Sequence, residues 1–190
     1  MTKIDPPIDV PLTLGAQIEA RAEHPMLASR PVLHEGDRTW SYREYRDECV
    51  RTALLLLARL GKIDERRPGH VAMFLENHLE LMALYGGCAY AGLTLFGVNT
   101  GLRGETLAGV IAESRARVLV VDEKLLPEIE PVRAKLGLPD ENILVVPTRG
   151  GPLDDASRLD RCLDREVGSG SLAAPDVTVQ PDRPLMVIYT

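Results

Sequence analysis

The chain has 190 residues, a hydrophobic fraction of 45%, a charged fraction of 26% and a formal net charge of −6. That composition suits a globular domain with a sizeable core. The acidic balance and the lack of any Lys/Arg-rich stretch exclude nucleic acid as the main partner. Cys49, Cys88 and Cys162 lie far apart without C-x-x-C spacing, and the amino terminus lacks an apolar signal core, so a cytoplasmic protein with reduced thiols is expected. The apolar stretch 85–98 is interrupted by Gly86, Gly87, Gly92 and Gly97, too broken for the roughly 20 apolar residues that cross a bilayer.

In chain order, Leu14, Ile18 and Ala22 mark a short amphipathic helix, with Thr13 as N-cap and its end before Pro25. Residues 31–34 and 38–40 flank Glu35-Gly36-Asp37 and predict a hairpin. Ser41 and Glu44 form an S-x-x-E capping box at the head of a long helix closed by Gly61. Its face carries Tyr42, Tyr45, Cys49, Ala53 and Leu56/Leu57, and the run 54–57 predicts a helix covered on more than one side.

Residues 70–75 predict a strand, and Asn77 with Glu80 the cap of a helix carrying Leu81, Leu84, Cys88 and Ala91. A strand follows at 93–98, a helix at 105–114, a buried strand at 118–121, and a helix at 124–136 containing Pro127 and Pro131. Another strand is expected at 142–146. Residues 148–184 read as a connecting excursion with a short helix at 157–166, leading to a last strand at 185–188 with the apolar pattern of one covered on both faces. Alternating strands and helices predict an α/β fold, a mainly parallel sheet flanked by helices through right-handed crossovers.

Four clusters are candidates for chemistry. Gly97, Gly101 and Gly104 lie between a strand and a helix, but their spacing fits neither the dinucleotide fingerprint nor the P-loop, and they are assigned to a tight turn. Gly168-Ser169-Gly170 is assigned to a linker. His70 and His78 are read as ordinary core or solvent-edge histidines, and no metal site is drawn from them. Asp122-Glu123 follows a strand at its carboxyl end, where α/β active sites gather, and Asp122 is assigned the cap of the next helix.

Several ordered segments resemble the N-terminal part of the adenylate-forming superfamily, the acyl-CoA synthetases and their relatives. Thr39-Trp40-Ser41-Tyr42-Arg43-Glu44-Tyr45 resembles an early T-[WYF]-[TS]-Y-x-E-L segment. Val71-Ala72-Met73-Phe74-Leu75-Glu76-Asn77 is similar to the strand and turn that follow, and Tyr90-Ala91-Gly92-Leu93 through Asn99 to the next strand. Ser114-Arg115-Ala116-Arg117-Val118-Leu119-Val120-Val121-Asp122 is similar to S-x-[AP]-x-[VL]-[IVL]-[IVL]-x-[DE]. The resemblance runs from about residue 14 to 190.

The resemblance implies an acid–thiol ligase that uses ATP and Mg²⁺ to make an acyl-adenylate and CoA to displace AMP. It implies that the strand ending in Tyr189-Thr190 leads into a phosphate loop, so residues 1–190 are expected to be an incomplete N-terminal AMP-binding domain, inactive alone. Thr190 would contact ATP phosphate in the complete enzyme. Phe96 and Gly97 are similar to a Phe-Gly pair beside the CoA nucleotide in acetyl-CoA synthetases, although those enzymes place arginines where this chain has Asp122-Glu123-Lys124. Asn99-Thr100-Gly101-Leu102-Arg103-Gly104 is similar to the variant in very-long-chain acyl-CoA synthetases and fatty-acid transport proteins. The expected substrate is therefore a long-chain, branched or steroid-like carboxylic acid, with peripheral membrane association and a homodimer as further partner expectations. A free-standing α/β interaction or regulatory module is the alternative reading, and a nucleotide-dependent oxidoreductase ranks last.

Overall fold

The computed structural model describes residues 12–148, 157–170 and 172–189. Helix α1 (Leu14–Glu23) opens where expected, the Thr13 hydroxyl accepting from Ala16 N at 3.4 Å. Strands β1 (Pro31–Glu35) and β2 (Arg38–Ser41) form an antiparallel hairpin that pairs Leu33 with Trp40 and Glu35 with Arg38. The capping box then starts α2 (Tyr42–Leu60): Ser41 Oγ accepts from Glu44 N at 3.3 Å, and Glu44 Oε2 accepts from Ser41 N at 2.8 Å. Two orphan amides of the first turn are satisfied by residues four positions apart at most.

A second sheet carries the core. Strands β3 (His70–Phe74), β4 (Thr94–Gly97), β5 (Val118–Asp122), β6 (Ile143–Val146) and β7 (Met186–Ile188) all run parallel, in the order β6-β5-β3-β4-β7. Helix α3 (Leu79–Ala91) connects β3 to β4, and α4 (Gly104–Glu113) connects β4 to β5. Because side chains alternate across a strand, the pattern sorts into two cores. Val71, Met73, Leu95, Val120 and Leu144 pack with Leu55, Leu56, Leu84 and Cys88 of α2 and α3. Ala72, Phe74, Leu119, Val121 and Ile143 pack with Leu107 and Ile111 of α4. The two-sided covering predicted from 54–57 is realised: Leu55 and Leu56 are buried, whereas Leu54 and Leu57 are half-buried. Each fully buried leucine contributes roughly 1.5–3 kcal/mol.

Three expectations are corrected. The helix expected at 124–136 is instead a chain of short turns: 3-10 at Glu123–Leu125, α5 (Leu126–Ile129), 3-10 at Glu130–Val132 and α6 (Arg133–Leu136). Pro127 and Pro131 each lack an amide to continue the ladder, and each sits at the start of a new turn. The N-cap position of α3 is His78 rather than Asn77, its Nδ1 lying 3.4 Å from the third amide of the helix. Finally, the 185–188 segment is not covered on both faces. It is an edge strand hydrogen-bonded to β4, and Ile188 is 64% exposed.

Helices α2 and α3 meet along a line of small residues. A side-chain Cβ at Gly86 would overlap Cys49 Sγ, and one at Gly87 would lie 2.9 Å from both Cβ and Cγ2 of Thr52. The close approach brings the polar edge of α2 over the segment between β6 and β7, which holds α7 (Leu159–Glu166). Arg46 Nη1 donates to the Leu172 carbonyl at 2.6 Å, and its Nη2 pairs with Glu19 Oε1 at 2.9 Å. Arg51 donates through Nε to the Gly168 carbonyl at 2.8 Å and through Nη2 to Asp164 at 2.7 Å. Arg59 pairs with Glu166. The Gly168-Ser169-Gly170 turn, with φ of +87° at Gly168 and +103° at Gly170, is thus held by a helix 100 residues or more earlier in the chain.

Substituting Gly86 with alanine is expected to destabilise the fold by about 1–3 kcal/mol through overpacking, and Gly86→Ala with Cys49→Ala to recover part of that loss, measured by urea denaturation. Ser41→Ala is expected to cost about 1 kcal/mol in the same assay.

Candidate functional site

In this strand order the connection from β3 proceeds toward β4, whereas that from β5 proceeds toward β6. The chain therefore leaves the adjacent strands β3 and β5 in opposite directions, and their carboxyl ends mark the switch point where open α/β sheets take ligands. Its floor is a charged network assembled from four elements. Asp122, 5% exposed at the end of β5, accepts from Glu76 N at 2.7 Å and pairs with His78 Nε2 at 2.8 Å. His78 Nδ1 lies 3.3 Å from Glu80 Oε2, and Glu80 in turn pairs with Arg38 of β2. Arg38 also pairs with Glu35 at 3.1 Å, and Glu35 accepts from Leu79 N, the first amide of α3, at 3.2 Å. A carboxylate from the hairpin thus occupies the positive end of that helix.

The role assigned to Asp122 is accordingly corrected: it makes no cap to the turn that follows it. Its carboxylate is spent across the sheet on the β3–α3 turn, whose amide and imidazole both lie within bonding distance. His78 Nδ1 has two neighbours, Glu80 Oε2 at 3.3 Å and Leu81 N at 3.4 Å, and cannot serve both. A neutral ring would accept from Leu81; a protonated ring donates to Glu80. Burial disfavours the charged ring, but Asp122 and Glu80 outweigh it and raise its pKa from 6.5 to about 9. The donor form therefore prevails at neutral pH. Burial likewise opposes ionisation of Glu80, and His78 and Arg38 overcome it, holding that carboxyl down at about 2.

Around the floor, Lys124 pairs with Glu76, and Glu123 Oε2 accepts from Thr148 N at 2.7 Å. Beyond β4, Asn99 Oδ1 accepts from Gly101 N at 2.8 Å and the Asn99 carbonyl from Leu102 N at 3.0 Å. Arg103 donates to the carbonyls of Thr100 and Leu102 and pairs with Glu128 at 2.9 Å. The glycines at 101 and 104 thus serve a tight turn, whereas Gly97, assigned to the same turn from its spacing, lies within β4 and pairs with Met73 and Ile188.

Phe96 and Gly97 are consecutive in β4 and face opposite sides of the sheet. The Phe96 ring lies 4.7 Å from that of His70 and 6.2 Å from that of Tyr189. A Cβ at Gly97 would meet the methyl groups of Met73 and Met186 at 3.2 and 3.3 Å, while the Gly97 carbonyl accepts from Tyr189 N at 3.5 Å. Their side-chain positions therefore do not converge; what they share is the backbone at the carboxyl end of β4. Thr190 lies outside the described residues. His70, read as ordinary, is so: its Nδ1 donates to the Ser114 carbonyl at 2.7 Å. The His78 network was not foreseen, because its partners Asp122 and Arg38 are 44 and 40 positions away in sequence, and only the neighbouring Glu80 gives a local signal.

Since the folded pKa of His78 is raised, its stabilising contribution is complete below 6.5 and is lost as pH rises through about 9. The urea midpoint of the native chain is expected to fall over that window, while His78→Asn, less stable at pH 6.5, stays flat. Equal slopes for the two proteins would show that the ring carries no such linkage.

Comparison with known proteins gives this frame an ancestry. The AMP-binding enzyme family matches residues 17–190. A 4-hydroxybenzoate–CoA/benzoate–CoA ligase of Rhodopseudomonas palustris is 33% identical over 102 residues, covering 54% of this chain and 18% of that protein. A steroid-22-oyl-CoA synthetase of Rhodococcus jostii is 31% identical over 112 residues, covering 59% of this chain and 19% of that protein. A Mycobacterium tuberculosis fatty acyl CoA synthetase of known structure superposes with a TM-score of 0.74 at 21% identity, over 94% of this chain and 32% of that one, a likeness of fold. The chain spans between 18% and 26% of the length of the curated relatives it matches. On a match that extends over nearly its whole length, the chain belongs to the AMP-binding enzyme family.

Proposed function

We propose that this chain supplies the front part of an ATP-dependent carboxylate–CoA ligase that works through an acyl-adenylate. The family match over residues 17–190 carries the reading. The geometry supports it: the parallel strands end on one side of the sheet, and Tyr189 N donates to the Gly97 carbonyl at the carboxyl end of β4, next to β3. In this reading the chain running on from β7 meets the ATP phosphates, with Thr190 among the contacts, and the backbone at Phe96 and Gly97 lies on the CoA side. The parallel strands orient β7, and the Asp122–His78 pair ties the end of β5 to the turn after β3. Residues 148–184 act as the connecting excursion that returns the chain to the sheet, and the whole protein works in the cytoplasm.

Among the described residues no cluster of three or more His, Cys, Asp or Glu could hold a metal ion, so no step is assigned to Mg²⁺ on these residues. No helix among them is long and apolar enough to cross a membrane. The substrate is a carboxylic acid. The names of the relatives include benzoate and steroid-22-oyl acids, and the Asn99 to Gly104 pattern supports the long-chain or steroid-like end of that range.

Two measurements test the reading. The 190-residue chain alone is expected to show no carboxylate-dependent pyrophosphate exchange and no tight Mg-dependent ATP binding. A chimera in which residues 17–190 replace the matching region of a related CoA ligase is expected to retain exchange within about tenfold of the parent. A chimera that folds but exchanges nothing, or a chain that adenylates acids unaided, contradicts the assignment.

A further inference from the structure

The reading above puts the thiol acceptor, CoA, beside the backbone of Phe96 and Gly97, and the charges around that position bear on which part of the acceptor is recognised. One end of CoA is a pantetheine thiol. The other is an adenosine whose 3′-phosphate carries nearly two negative charges at neutral pH. Holding such a group takes an Arg, a Lys or another donor whose charge is not already neutralised. In the sheet β4 lies beside β3, and β3 beside β5, so the ends of those strands stand roughly 5 and 10 Å from the end of β4.

That end of the sheet is acidic. The groups there are five carboxylates, Glu35, Glu76, Glu80, Asp122 and Glu123, against three cations, Arg38, His78 and Lys124. Arg38 and His78 are turned onto carboxylates, with side chains 27% and 12% exposed. Lys124, at 50%, is the cation of this set most open to solvent, and its charge is met by Glu76, at 54%. Beyond β4, Arg103 is engaged by Glu128 and by the carbonyls of Thr100 and Leu102. A phosphate monoester approaching the ends of β3 and β5 therefore meets a net negative field. ATP differs, since in the same reading it meets the chain at β7, on the far side of β4. We propose that this chain selects its acceptor by the pantetheine arm and not by the 3′-phosphate, with Glu76 as the specificity-determining residue, so that CoA and dephospho-CoA serve equally. The inference rests on the ligase reading and adds the acceptor's specificity to it.

The chimera described above tests it, built into a parent ligase that prefers CoA to dephospho-CoA by about tenfold or more. Pyrophosphate exchange reports adenylation, and so the ligase reading; thioester formation reports the acceptor. The chimera is expected to use the two thiols with kcat/KM values within about twofold of each other. Glu76→Gln, which frees Lys124, is expected to shift the ratio toward CoA about fivefold, and adding Lys124→Gln to cancel that gain. Apart from turnover, calorimetric titration of the native 190-residue chain with adenosine 3′,5′-bisphosphate is expected to show no saturable heat. A preference for CoA above about threefold in the unmodified chimera overturns the inference. So does an unchanged ratio in a folded Glu76→Gln variant, or saturable binding of the bisphosphate to the native chain. A folded chimera that exchanges no pyrophosphate overturns the ligase reading and this inference with it.

Discussion

The arrangement depends on how closely α2 can approach α3. Two consecutive glycines, Gly86 and Gly87, let the side chains of Cys49 and Thr52 enter the surface of α3. With the helices so close, Leu55 and Leu56 share one buried cluster with Val71, Met73, Leu95, Val120 and Leu144 of the strands. The same proximity carries α2's outer edge over the segment after β6, where three arginines can act as cross-links to backbone carbonyls and carboxylates. Guanidinium groups suit that task, since each presents several donors in a fixed plane.

Packing on this side also determines what happens at the crevice. The amino end of α3 lies against the hairpin, and its charge is met by Glu35 and Glu80. Those carboxylates, with buried Asp122, surround His78 and favour its protonated form. A buried ion network of this kind contributes little net stability against an apolar alternative, but each member is costly to remove singly. Its effect is geometric: it ties the end of β5 to the β3–α3 turn and, through Glu80 and Arg38, to the hairpin.

Local chemistry was legible from the residues alone. Thr13, Ser41 with Glu44, and Gly61 marked helix ends correctly, because caps involve side chains within four positions of the amides they serve. The parallel sheet was legible because its strands are apolar on both faces, a pattern that needs two covering layers. The last strand broke that rule: its apolar run looked interior, but its place at the sheet edge is decided by strand order, which the run does not encode. Proline placement signalled weakness in 124–136 without revealing that the segment divides into four turns. The site was least legible. Asp122 was assigned to the nearest helix start, because sequence proximity cannot show that a buried carboxylate has a better partner across the sheet. The arginine cross-links of α2 likewise span more than 100 residues.

The path from β6 to β7 has a kinetic consequence. Strands β3 to β6 pair through connections of one helix or a few turns, whereas Leu95 pairs with Met186 across half the chain. Closing so large a loop costs entropy, and the bonds from α2 to the carbonyls at 168 and 172 divide that loop into shorter ones. The β4–β7 pairing is thus the ladder of greatest sequence separation in the sheet, and its closure carries the largest loop-entropy cost. Arg46 and Arg51 of α2 thus act as staples that shorten the path the chain must close between β6 and β7.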